Sequence, residues 1–384
     1  NTALNWDIGA VPAEGTNAII GGGSTVDYTA PMAATSFAGV NNSGILNISA
    51  AGFNIDAAGL AAYAGNASSM LRINASGVMT ATNSGSITMT TGSEIDLEGG
   101  LLAITNSTGN FNFGANGNNN GAGLTNNGGA VIFSQPFISK GRFSHFAMTA
   151  GSLTLASTGT NGIFETSNDQ ERQFLINGGT ANLGNFVIGR TLNTVGSAGL
   201  VLSNGVVNTT SLTVGNGIAA GAATIAGGVL TNTGTFVIGD RSNAATSGQR
   251  RIFFYMRGGS VYSTDPSGVL LENQANISAT GGSPVWGAFL DINAGLLSTQ
   301  KLTLNNPNAV TNAFSTLTLG GSGAIYLGSG GLVGNLGFSN TAYTVTLSGG
   351  TLGANADYSI NANGSLTGTF TINAADPASV PHNI

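Results

Sequence analysis

Three carboxylates, Glu94, Asp96 and Glu98, alternate with Ile95 and Leu97 in the run SEIDLEGG. Successive side chains of an extended strand point to opposite faces, so the three acids share one outward face. Carboxylates grouped in this way hold a hard cation such as calcium when several converge. Two of them hydrolyse a glycosidic bond when they face each other across about 5–10 Å. The third reading is a solvated acidic face. The chain favours it, because the calcium-binding nonapeptide G-G-x-G-x-D is absent. His145, in RFSHFAM, is flanked by Phe143 and Phe146 with no carboxylate near it in sequence. Triad chemistry needs a base oriented by a partner, so His145 reads as a structural or surface residue. His382 reads as a strand residue. Arg172, Arg190, Arg241, Arg250, Arg251 and Arg257 form a band suited to an anionic polymer, or to pairing with Asp169, Glu171 and Asp240 on exposed loops. The second use is the commoner one. GNGIAAG (215–221) has the glycines of a nucleotide loop but no helix after it. No catalytic, cofactor-binding or metal-binding residue is therefore assigned. Tyr255, Tyr262 and Trp286 are the aromatic candidates for contact with a glycan.

A short phrase recurs around these residues and sets the scaffold that must position them. It runs apolar-x-apolar, a turn ending in Gly, then apolar residues again. FLINGGTANLGNFVIG (174–189) and ATIAGGVLTNTGTFVIG (223–239) are the clearest copies. The turn glycines are Gly151, Gly179, Gly205, Gly228, Gly259, Gly295, Gly321 and Gly350, with steps of 28, 26, 23, 31, 36, 26 and 29 residues. A unit recurring every 20–50 residues or so marks a solenoid, a propeller or an array. Val, Ile, Leu, Phe and Thr fill the runs with period-2 alternation, while Gly, Asn and Ser punctuate them. A propeller blade needs four strands, and this unit has room for two or three. The expected fold is all-β: a single elongated parallel β-helix (β-solenoid) of right-handed sense. Residues 1–45 are expected to form an N-terminal cap or the first coils. Residues 46–384 are expected to form the solenoid repeats, with loop inserts near 110–129, 164–174 and 239–251.

Composition excludes several classes. Charged residues are 7% of the chain, against about 25% in ordinary domains. Glycine, at 61 of 384 residues, has no three-residue period, so the chain is not collagen. The net charge is −6 and the only lysines are Lys140 and Lys301, which excludes the basic face that nucleic acid requires. With no cysteine, disulfides and zinc–thiolate sites are impossible. No run of 18 apolar residues encodes a transmembrane helix. The start NTALNWD is compatible with a processed, mature N-terminus.

Two segments resemble the autotransporter-associated β-strand repeats of very large bacterial surface proteins. One is TLSGGTLGA (346–354), followed by a strand and then AADPASVPHNI (374–384). The other is the opening NWDIGAVPAEGTNAIIGGGSTVDY (5–28), with Trp6, Pro12, Gly15, Ile19 and Ile20 at the matching positions. The resemblance implies export, a β-solenoid passenger and a role at the cell surface or in the extracellular matrix, and it implies no catalytic residues. In that family the HNI segment runs on into further repeats. The chain is therefore expected to be part of a longer precursor, or to have its last coil completed by another molecule.

The expected function is that of a non-enzymatic, exported bacterial structural protein, extracellular or at the cell surface, without cofactors. Solenoid ends carry unpaired strand edges. From Thr344 to the end the only charges are Asp357 and Asp376. Self-association end to end into filaments is thus expected, the partner being the protein itself. A glycan-binding adhesin is the alternative, and a polysaccharide-active β-helix enzyme is a more distant one.

Overall fold

The structure is a computed structural model that describes residues 15–31, 36–56, 63–82, 87–90, 92–105, 111–113, 121–139, 145–163, 173–189, 199–215, 221–240, 250–273, 286–306, 313–336, 343–362 and 370–374. Among them there is no helix, hence none long and apolar enough to cross a membrane. Every pairing among the described strands is parallel, and the chain is a β-solenoid. It divides into two compact units, Asn1–Gly184 and Asn185–Ile384.

In the first unit each turn carries three strands, one on each of three sheets. The first sheet starts Asn17–Ile20, Gly39–Asn42, Tyr63–Gly65 and Ile87–Met89. The second starts Thr25–Tyr28, Ile45–Ile48, Met70–Ile73 and Glu94–Leu97. The third starts Ser36–Phe37, Phe53–Ile55, Val78–Ala81 and Leu101–Ile104. One turn takes from eighteen residues (Ser36 to Asn54) to twenty-nine (Glu94 to Gly123). The second unit has the same three-sheet plan, but its turns reach thirty-six residues (Ser260 to Leu296). The variable length sits between strands, which is why the register survives it.

Alternation supplies the core. In the second sheet of the first unit, Val26, Leu46, Leu71, Ile95, Leu124, Phe146 and Phe174 align in register, and all are buried. In the second unit Leu200, Ala223, Phe254, Leu290, Leu317 and Val345 do the same. Burying such a side chain contributes roughly 1.5–3 kcal/mol. Stacking like on like also lets rings pair: Phe146 and Phe174 lie 4.4 Å apart at 16°.

The corners carry the other half of the specification. All eight turn glycines singled out by the repeat have positive φ, from 54° at Gly321 to 89° at Gly205 and Gly295. At Gly179 a Cβ would also overlap the carbonyl oxygen of Gly151, its counterpart one turn earlier. Glycine is needed there twice over, for the left-handed backbone and for the close approach of successive turns. Buried asparagines fasten other corners. Asn126 Oδ1 accepts from the amides of Gly128 and Gly129, at 3.2 and 2.8 Å. Its Nδ2 donates to the carbonyl of Gly129, and across the turn to that of Ser152 at 3.1 Å. Asn161 bridges turns in the same way, accepting from Phe137 N and donating to Leu183 O.

Two of the three expected inserts fall mainly outside the described residues, at 164–172 and 241–249. The segment 110–129 contributes the strand Phe111–Phe113 and the start of Gly123–Phe133, with 114–120 outside the described residues. In the segment 1–45, Asn17–Ile20, Thr25–Tyr28 and Ser36–Phe37 already form one turn on all three sheets.

Gly179→Ala should destabilise the first unit by about 2–4 kcal/mol, combining left-handed strain with overlap. Gly23→Ala, at φ 78° with open space around it, should cost only about 1–2 kcal/mol. Thermal unfolding followed by circular dichroism compares the two. Equal losses would show that turn-to-turn contact does not set the requirement. Asn126→Ala should cost about 1–3 kcal/mol by stranding buried amides.

Candidate functional site

The outward face of the second sheet in the first unit carries the acidic cluster. Glu94, Asp96 and Glu98 do point outward together, with Ile95 and Leu97 fully buried between them. Register then gives each acid a partner. Asp96 lies opposite Arg72 on the preceding turn, and their charged groups approach to 3.8 Å. Glu98 accepts a hydrogen bond from Asn127 Nδ2 at 3.0 Å, and Asn127 in turn accepts one from Thr149 at 2.9 Å.

Glu94 reaches furthest. Its counterpart on the next turn is Gly123, whose counterpart on the turn after that is His145. A Cβ at Gly123 would overlap both the Glu94 carboxylate and the His145 ring. The bare glycine lets the two side chains meet across an intervening strand, with Oε2 and Nε2 3.7 Å apart. His145 thus has a carboxylate neighbour fifty-one residues away, which sequence reasoning missed. The signal was present, since two turns of the repeat separate the residues, but strand boundaries are needed to read it.

Burial pushes the Glu94 carboxyl above the usual carboxylate range; His145 opposes that shift and Asp96 adds to it. Burial likewise raises Asp96, opposed by Arg72 and reinforced by Glu98. Glu94 and Asp96 stand two residues apart on one strand, on the same outward face. Among the described residues no three histidines or carboxylates are grouped closely enough to share a metal ion. Of the three acids, Asp96 faces an arginine, Glu94 a histidine and Glu98 an asparagine.

The outward surface of the second unit holds aromatic groups. Phe253 stacks on Tyr255 at 5.1 Å and on Phe289, its neighbour on the next turn, at 5.0 Å. The Arg257 guanidinium lies 4.8 Å from the Tyr255 ring centre, and its Nη2 donates to Asp291 Oδ2 at 2.6 Å. This member of the arginine band is committed to an aromatic and a carboxylate. Arg172, Arg190 and Arg241 lie outside the described residues. So do the side chains of Arg250, Arg251, Asp240 and Trp286, and all of Asp169, Glu171 and His382. Tyr262 (38% exposed) and Tyr326 (36%) stand on a different sheet of the same unit. Tyr326 was not among the aromatic candidates from sequence.

Compared with protein-family models, curated proteins and solved structures, the chain matches none.

The raised carboxyls predict the sign of a pH effect. A carboxyl with a folded pKa above its unfolded value favours the fold below the unfolded pKa. That contribution is lost as pH rises through the folded pKa. The first unit should therefore lose stability as pH climbs from about 4 towards neutrality, and Glu94→Gln should flatten the slope and raise Tm at pH 7. Thermal melts of both proteins across that range check this. A variant that melts lower at pH 7 would show that the Glu94 charge is favourable.

Proposed function

We propose that the chain is a non-enzymatic structural β-solenoid, exported by a bacterium to the cell surface or extracellular matrix, and that it joins end to end with copies of itself. The observation that carries this reading is the way the turns are held. Each turn offers the backbone N–H and C=O groups of its strands to the next, so an outermost turn offers the same groups to a partner. Apolar side chains sit at those places. Ile19, on the first described strand, is 62% exposed, and Ile360, on Ile360–Ala362, is 37% exposed. The resemblance to autotransporter-associated repeats points the same way, as does the scarcity of charge after Thr344. A heterologous contact between two different ends produces open filaments. The reading assigns no catalytic, cofactor or metal residue.

A second reading, a glycan-binding adhesin, is favoured by one observation. Tyr262 and Tyr326 are exposed on a sheet whose other outward residues are aliphatic, small or uncharged polar.

Electron microscopy of the purified chain over a wide concentration range tests the first reading. Filaments are expected, with Ile360→Lys removing them while the circular dichroism spectrum is kept, because a charge on an edge strand blocks pairing. A monodisperse monomer at every concentration would overturn it.

A further inference from the structure

We infer that one sheet of the second unit carries a binding face for an uncharged, extended polysaccharide, with Tyr262 and Tyr326 as its stacking platforms. The inference rests on the glycan-binding reading and gives it a place and a ligand class.

Register fixes the arrangement. Tyr262 lies opposite Ser298 on the next turn, Ser298 opposite Tyr326, and Tyr326 opposite Gly353. The column alternates large and small, and the tyrosine backbones stand two turns apart, about 9.5 Å. That spacing is close to the length of a disaccharide. An extended chain running across the turns would place every second sugar over a ring.

The Tyr326 ring is laid down for this use. Its Cε1, Cδ1 and Cζ atoms all come within 3.0 Å of where a Gly353 Cβ would stand. The ring therefore lies over the bare Gly353 backbone, and the residue is 36% exposed. Ser298, between the two tyrosines, is small, and its hydroxyl accepts a hydrogen bond from Asn355 Nδ2 at 3.0 Å, which adds a polar amide to the face. A tyrosine offers an apolar ring with a polar tip, which suits a sugar's apolar C–H face and its hydroxyl rim.

Charge selects the class of ligand. The strand segments of this face, SVYS (260–263), LLST (296–299), AIYL (324–327) and TLGA (351–354), contain no charged residue. The whole chain carries −6. An acidic polysaccharide or a nucleic acid would meet no countercharge here and overall repulsion. An extended peptide binds by adding to a strand edge. The segments 260–263 and 296–299 are paired on both sides, so only their side chains are on offer.

The test is co-sedimentation of the folded chain with cellulose, chitin and an insoluble β-1,3-glucan, and affinity electrophoresis with polygalacturonate and alginate. Binding to at least one neutral polymer is expected. Tyr262→Ala and Tyr326→Ala should each weaken it about fivefold or more. Tyr326→Phe should keep most of it, and Ser298→Arg, which sets a bulky charge between the rings, should abolish it. Unchanged melting curves would show that the variants fold. Neutral binding that survives both alanine variants would overturn this site while leaving glycan binding standing. Binding confined to the acidic polymers would overturn the ligand class. Binding to none would overturn both the site and the glycan reading.

Discussion

Everything in this protein depends on parallel strand pairing repeated at one spacing, about 4.8 Å from turn to turn. At that spacing each residue sits directly over its counterpart, so any side chain is constrained by the residues one turn before and after it. Inward columns become apolar stacks such as Leu71–Ile95–Leu124. Corner columns become glycine or buried asparagine, because a Cβ has nowhere to go or because backbone amides must be capped. Outward columns must avoid facing like with like when charged. The 7% charge content follows from this, since a repeated acid or base would repel itself down the whole column. Where charge does occur, signs or polarity alternate, as in Arg72 facing Asp96.

The same constraint explains which parts of the fold were legible in sequence. The eight turn glycines stood out because the corner requires them in every turn, and all eight adopt the backbone that only glycine takes easily. The outward alternation of Glu94, Asp96 and Glu98 was legible because period 2 is local. The pairing of Glu94 with His145 was not, because it depends on register across two turns of unequal length and on Gly123 having no side chain. The buried asparagines escaped for a related reason. Asn126 and Asn161 look like loop residues among many, and only the fold shows their side chains replacing backbone partners. Tyr326 escaped because a lone tyrosine in GAIYLG carries no signal until register sets it two turns from Tyr262.

Function follows the division between corners, core and flanks. In the core and corners a substitution meets the turns before and after it. Each acid of the cluster has a side-chain neighbour on another turn. Among the described residues, the flanks carry a few side chains that exceed the small-residue norm, Tyr262 and Tyr326 among them.

The most direct test of this account is high-resolution electron cryo-microscopy of the purified chain under conditions of assembly, read at the junction between consecutive molecules. The account predicts that strand pairing continues across the junction with the turn-to-turn rise of about 4.8 Å unbroken, the last turn of one molecule serving as the platform for the first turn of the next. A junction made through the flanks, or a gap in the strand ladder between molecules, would contradict it.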